Sequence, residues 1–275
     1  MAVHPRVVCS SITFRRLPLA EALGTIRSLG FGEIDLGALP GVCDHVPYEL
    51  TDDAVREVAT TIRESGLGVR SINADVGDLN EDVDAAGAAA RDAHLDQLFD
   101  LAEQVEAPAI VLPCGSQGHE TISDLGTDLD RVAGFLRHAA SLAAARGLEV
   151  WVESQHSGRL CYDMDRAGQL TERLEGSGVR VVLDLSHVVA SGDEPVEWIH
   201  RFADEIAHVH IRDARPGNIH VTPGNGDVDF AAALSRLGTA GYDGAFSLEL
   251  ETDDVSNEDR PDAALRAGEL ISSLL

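Results

Sequence analysis

Lysine is absent. All 21 basic residues of the 275-residue chain are arginine, so no side-chain amine is available for a Schiff base, and phosphate-binding loops that depend on lysine are excluded. Cysteine is sparse: Cys9, Cys43, Cys114 and Cys161 are widely spaced, with no CxxC pair. That spacing argues against a disulfide framework and fits a reducing compartment. The four read as small buried apolar side chains before they read as soft-metal ligands, although Cys9 and Cys114 fall at or near strand ends. No apolar run nears the roughly 20 residues of a membrane span. The start, MAVHPRVVCSS, lacks a basic region followed by a long apolar stretch, so the expectation is a cytoplasmic protein without a secretory signal. Linkers are missing too, and residues 1–275 read as one domain.

Positive charge is the other scarcity. Against those 21 arginines stand 47 acidic residues, a net charge of −26. A surface of that sign repels phosphate backbones and anionic bilayers, so neither nucleic acid nor membrane is an expected partner. Arginine without lysine on an acid-rich surface also suits a high-salt cytoplasm, an expectation that a melting temperature rising between low and molar salt would bear out.

What is present is alternation. Short β-rich runs near 6–10, 32–36, 68–73, 109–113, 148–153, 179–184, 206–211 and 244–250 are each followed by an amphipathic run, near 17–29, 52–65, 86–106, 124–146, 164–175, 195–203, 228–238 and 258–274. Thr51 precedes DDAVREVATTIRESG, a capped helix with an acidic first turn and a closing glycine. Strict β-then-α order implies a parallel sheet, and eight units in a chain of this length imply a closed (β/α)8 TIM barrel rather than an open sheet. An open dinucleotide-binding sheet would show GxGxxG after its first strand, and the first turn here, CSSITFRRLP, has no glycine.

Four strands end in metal-grade side chains: Glu153 in LEVWVESQH, Asp184 in VRVVLDLSH, His210 in IAHVHIRD and Glu249 in AFSLELE. Alternation puts each on one face with Trp151, Val182, His208 and Ser247, while Val152, Leu183, Val209 and Leu248 turn toward helices. Any one of these acids alone reads as a cap or a solvated rim residue, and acids abound here. Four on consecutive strands five to eight point to one site at the carboxyl rim, where barrel active sites sit. Three carboxylates and an imidazole suit one divalent ion, Mn²⁺ first, with Mg²⁺, Co²⁺ or Zn²⁺ as alternatives.

A carboxylate-x-x-His spacing occurs twice, Glu153 with His156 and Asp184 with His187. The offset carries each histidine into the loop above the rim, within reach of a substrate. His208, one pleat below His210, reads as a hydrogen-bonded support. The segment HIRDARPGNIHVTPGNGDVDF (210–230) is a long loop of the kind that is usually functional. In it Arg215 is the expected substrate contact, with Arg212 and Asp213 forming a structural pair. His45, Asn73 and Asp75 are candidates for the pocket wall, though each alone reads as an ordinary loop or cap residue.

With these residues in place, the chain resembles the sugar phosphate isomerase/epimerase family of xylose isomerase-like barrels. The likeness is carried by VWVES, LDLSH, HVHIRD, PGNGDVDF and FSLELE, most specifically over about residues 131–251. The resemblance implies that Glu153, Asp184, His210 and Glu249 hold the cation, that His187 and Arg215 contact substrate, and that Glu153 and Glu249 also transfer protons. It implies an isomerase or epimerase of a small sugar, ketose or hydroxy-keto acid, working by proton abstraction to an enediolate.

A metal-dependent lyase or dehydratase of a cyclic keto-polyol or 3-keto sugar shares that first step. Ketose 3-epimerases usually carry a further Glu shortly after the strand-five ligand. Here SQHSGRLCYD supplies His156 and Arg159 instead, which adds weight to the lyase, with His156 as acid toward a leaving hydroxyl. An endonuclease on the same barrel conflicts with the charge and the missing lysine. A non-catalytic sugar-binding barrel is the remaining alternative. The partner expected is a small carbohydrate; a homo-oligomer, dimer or tetramer, is left open.

Overall fold

The computed structural model describes residues 3–275. Eight parallel strands close into a barrel: β1 (Val7–Ser10), β2 (Glu33–Ala38), β3 (Gly68–Ala74), β4 (Ala109–Pro113), β5 (Glu149–Glu153), β6 (Arg180–Asp184), β7 (Ile206–Ile211) and, after a two-stranded hairpin, β10 (Phe246–Leu248). Each pairs with its sequence neighbour, and β10 closes the ring on β1 through Val7, Val8 and Cys9 opposite Phe246, Ser247 and Leu248. The expected eightfold alternation is therefore the observed topology.

Helices α1 (Leu19–Ser28), α2 (Asp52–Ser65), α3 (Ala85–Gln104), α4 (Leu125–Ala145), α5 (Met164–Leu174), α7 (Pro195–Phe202), α8 (Phe230–Thr239) and α9 (Arg260–Ser272) fill the crossovers. The acid-rich composition has a local use at their starts. Asp84, Asp124, Asp163 and Asp229 each accept a backbone N–H from the first turn of α3, α4, α5 and α8, satisfying an orphan donor and placing negative charge at the positive end of the helix. Thr51 does the same for α2, and Gly66, at φ 69°, ends it in the left-handed conformation that glycine adopts without strain. Among the described residues, no helix is long and apolar enough to cross a membrane.

Side-chain parity divides the core as the pleat requires. Val152, Leu183, Val209 and Leu248 belong to the apolar layer between barrel and helices. Inside the barrel, Ala109, Val111, Trp151 and Val182 form a small separate cluster, and beside it the buried lining is polar, with Asp35, Ser71, His208 and Ser247.

Two elements differ from the sequence expectation. A short helix, α6 (Leu185–Ala190), begins directly after β6, so His187 sits in a helical first turn and not in a loop. Asp184 causes this: its carboxylate accepts the N–H groups of Ser186 and His187, which starts a helix at the strand's last residue. The long segment after β7 is also ordered, with β8 (Asp213–Arg215) paired antiparallel to β9 (Asn218–Val221). Asp213 organises it, accepting N–H groups from Ala214, Gly224, Gly226 and Val228 at 2.8–3.0 Å.

Candidate metal centre and the cavity above it

Four strand ends converge as parity requires. Glu153, Asp184, His210 and Glu249 are all buried, and each offers a ligand atom within 4.8 Å of the others. His210 Nδ1 lies 3.1 Å from Glu153 Oε1 and 3.6 Å from Glu249 Oε1. Its other nitrogen, Nε2, faces Asp35 Oδ2 at 3.5 Å without an aligned hydrogen bond.

Three carboxylates this close in a buried site need positive charge. Burial raises Glu249, and although His210 and Arg212 oppose this, its carboxyl is pushed up to about 7. Burial acts on Glu153 in the same direction, but the hydrogen bond and positive charge of the His210 ring hold it well below the usual carboxylate range. Burial disfavours the His210 cation, yet Glu249, Asp35 and Glu153 outweigh that and keep the ring protonated well above the ordinary histidine range. A proton thus supplies the cationic charge among these acids. The donor set, three carboxylate oxygens and one imidazole nitrogen, fits a divalent cation in that role.

Arg212 closes the other side. It is 3% exposed, and its Nη2 lies 3.1 Å from Asp184 Oδ2 and 3.9 Å from Glu249 Oε2. Its Nη1 reaches Glu251 at 3.3 Å, and its Nε donates to Ser186 Oγ. His187 Nε2 is 3.2 Å from Arg212 Nη2, and the His187 ring stacks on His156 with centroids 3.7 Å apart. Burial pushes both histidines down to about 3, so both are neutral near pH 7. His156 Nδ1 accepts the Gly158 N–H, which puts the ring's own proton on Nε2, 3.9 Å from Glu153 Oε2.

Above the four donors opens a cavity of about 310 Å³ that Glu153, His156, His187, Arg212 and Glu249 share with Asn73, Asp75 and Arg159. Asn73 Nδ2 donates to Glu249 Oε1 at 3.3 Å, and Arg159 pairs with Asp75 at 2.7 Å. His45 is elsewhere: it is buried, and its ring bonds Cys43 Sγ and the Leu17 carbonyl.

Arg215 is not brought to this cavity. Its side chain is exposed on the hairpin and donates to the Asn225 carbonyl. The guanidinium over the ligands belongs to Arg212, and Asp213 is occupied with backbone N–H groups, so the expected Arg212–Asp213 pair is absent. Parity is the reason: Arg212 continues the inward series His208, His210, whereas the hairpin carries Arg215 away from the rim.

Asp35 was missed by sequence reasoning. It is fully buried within the barrel, accepts from Ser71 Oγ at 2.8 Å, and lies 2.7 Å from His208 Nε2. His208 is thus the hydrogen-bonded support expected of it, stacked on Trp151. The overlooked signal was a charged residue at an inward, fully buried position of β2, flanked by Ile34 and Leu36.

An eight-stranded βα barrel whose carboxyl rim gathers three acids, one histidine and a buried arginine is a barrel with a candidate divalent-cation centre. The match is specific: residues 23–273 fit the model of the xylose isomerase-like TIM barrel, and the chain belongs to that family. An inosose dehydratase of Geobacillus thermodenitrificans is 25% identical over 191 residues, covering 58% of this chain and 62% of that relative. The barrel superposes on the IOLI protein with a bound zinc atom at a TM-score of 0.80 and 18% identity, over 98% of this chain and 99% of that one. It superposes on L-ribulose 3-epimerase at 0.79 and 22% identity, over 100% and 95%.

Proposed function

We propose that this protein is a divalent-metal-dependent isomerase or epimerase of a small ketose or hydroxy-keto acid. The observation that carries the reading is the convergence of Glu153, Asp184, His210 and Glu249 on one point beneath a polar cavity. These four residues would hold the ion, and the zinc in the IOLI structure supports a divalent metal on this fold. When bound, the ion supplies a Lewis acid that polarises a substrate carbonyl and its neighbouring hydroxyl, acidifying the C–H between them.

Glu153, held ionised, takes that proton on a carboxylate oxygen, and the substrate passes through an enediolate. Glu249, whose carboxyl lies near neutrality before metal binds, gives up its own proton when the metal binds, so either Glu153 returns the proton it took or Glu249 delivers one taken up from solvent. Return to the adjacent carbon interconverts aldose and ketose; return to the opposite face epimerises. His187 and Arg212, not Arg215, contact substrate oxygens, and the neutral His156 offers its Nε2–H as a donor. Mn²⁺ suits the oxygen-rich donor set, and a cytoplasmic, homo-oligomeric enzyme acting on a carbohydrate completes the proposal.

A second reading, elimination of a β-hydroxyl from a cyclic keto-polyol, is favoured by the inosose dehydratase relatives. The state of His156 weakens its part in that reading, because a ring neutral down to about pH 3 is a poor acid toward a leaving group. Incubating Mn²⁺-loaded protein with ketoses, inososes and 3-keto sugars in D₂O separates the two. Deuterium at carbon without loss of water supports the isomerase or epimerase, loss of water supports the lyase, and Glu249→Gln abolishes exchange in either case. An unaffected exchange rate in that variant overturns the site.

A further inference from the structure

The hairpin that carries Arg215 outward turns another side chain inward. His220, on β9, is half-buried and lines two spaces at once: the cavity over the metal-grade residues and an open depression beside Arg215, Asn218 and Asn225. It therefore stands at the mouth of the cavity. Main-chain contacts fix it there. Its carbonyl accepts the Asp253 N–H at 3.1 Å, its own N–H donates to Asn218 Oδ1 at 2.9 Å, and Thr222, two residues on, donates its N–H and hydroxyl to Asp254. The ring is anchored as well, with Nδ1 2.7 Å from the Glu251 carbonyl oxygen. A carbonyl oxygen only accepts, so Nδ1 carries a proton, and in the neutral ring Nε2 is left with a lone pair. Among the described residues Nε2 has neither hydrogen bond nor ion pair.

The carboxylates on the cavity wall are already engaged. Asp75 accepts from the Gly77 N–H and from Arg159, Glu251 from Arg15 and Arg212, and Glu153 and Glu249 belong to the proposed metal centre. His156 and Arg212 add donors, not acceptors. A sugar hydroxyl both donates and accepts, and one enclosed among donors leaves its proton unpaired, at a cost comparable to a lost hydrogen bond. We propose that His220 is a specificity-determining residue whose Nε2 accepts a hydrogen bond from a substrate hydroxyl remote from the carbon that reacts over Glu153 and Glu249. Its preferred substrates are then polyhydroxy ketoses with a hydroxyl beyond the reacting carbons, and three-carbon hydroxy-keto acids are disfavoured. This rests on the isomerase or epimerase reading for the reacting end.

Asparagine and glutamine separate the two ring nitrogens. His220→Asn keeps a donor where Nδ1 bonds the Glu251 carbonyl and removes the acceptor, whereas His220→Gln places an amide oxygen near the position of Nε2 and gives up the anchor. In D₂O exchange with Mn²⁺-loaded protein, wild type should prefer a pentulose or hexulose over one of its singly deoxygenated analogues about 10-fold in kcat/KM, the size of one hydrogen bond. That preference should vanish in His220→Asn, through KM with kcat kept, and return in part in His220→Gln. A preference that survives His220→Asn overturns the role. Nitrogen NMR of labelled, Mg²⁺-loaded protein gives a readout apart from catalysis. The ring should be the Nδ1–H tautomer, and the ketose, but not that deoxy analogue, should move the Nε2 resonance. An Nε2–H tautomer, or a resonance that no ketose moves, overturns the proposal. If the Nε2 resonance responds to ketoses but no deuterium is exchanged, the isomerase or epimerase reading fails while the His220 contact stands.

Discussion

Asp35→Asn isolates the charge behind the proposed ligand His210. The amide keeps the shape of the side chain and can keep the Ser71 hydrogen bond, but it removes the carboxylate that lies 2.7 Å from His208 Nε2 and 3.5 Å from His210 Nε2. A carboxylate behind a ligating imidazole orients the ring and raises its basicity, and losing one lowers metal affinity about 10- to 100-fold. The short contact here is with His208 and the longer one with His210, so the lower end applies: about 10-fold, or about 1.4 kcal/mol.

Folding stability falls as well. Burial alone would raise the Asp35 carboxyl, but His208 and then His210 hold it far below the usual carboxylate range. Its contribution is therefore fully present above the unfolded value of about 4 and is lost only as pH falls toward the lower folded value. At pH 7 the variant forgoes it, at a cost of about 2 kcal/mol, typical of a hydrogen bond to a charged group. Chelator competition with Mn²⁺ reads the first effect and urea unfolding of the metal-free protein the second. Metal affinity within twofold of wild type, in a variant destabilised as expected, would refute the link to His210 and leave Asp35 as a partner of His208 alone.

Metal uptake should depend on pH through Glu249. Its carboxyl is pushed up to about 7 in the metal-free protein, so it is protonated below that pH and must release its proton to bind. Affinity then falls as pH drops below about 7 and keeps rising above it, because the His210 ring must also shed its proton to ligate, and a flat profile between pH 5.5 and 8.5 by competition titration would contradict this. Arg212→Met should lower stability by about 3–5 kcal/mol, because it strands buried Asp184 and Glu249 without their counter-charge, and should slow exchange severely. Arg215→Ala should leave both the unfolding midpoint and the exchange rate unchanged; the reverse ranking would restore Arg215 to the site. Asp213→Ala removes the acceptor of four backbone N–H groups and should cost roughly 3 kcal/mol in urea unfolding, with faster amide exchange across 213–228 as its signature.

The barrel was legible because two simple periodicities carry it. Period-two strands and amphipathic helices alternate without interruption, and Glu153, Asp184, His210 and Glu249 obey the same parity that sends Val152, Leu183, Val209 and Leu248 to the helices. Less legible was whatever depends on local hydrogen bonding at the rim. LDLSH reads as a strand running into a loop, yet the Asp184 carboxylate starts a helix there and buries His187. The segment after β7 is rich in turn residues, and its order depends on Asp213 gathering N–H groups from residues up to 15 positions away, a relation with no short-range signature. Arg212 could have been found by extending the β7 parity one step beyond the strand. Asp35 could have been found by asking why a charge stands inside EIDLGA.

Asp184 has consequences for which ions the protein can use. One of its oxygens, Oδ1, accepts from Ser186 N, Ser186 Oγ and His187 N, and only Oδ2 faces the other ligands and Arg212. The carboxylate is locked in place by the helix it starts and can offer a cation a single oxygen. Calcium favours many oxygens and often takes both from one carboxylate, whereas smaller divalent ions accept one. The hydrogen bonds that begin α6 would therefore bias the proposed centre toward smaller divalent ions, through backbone geometry fixed when the chain folds.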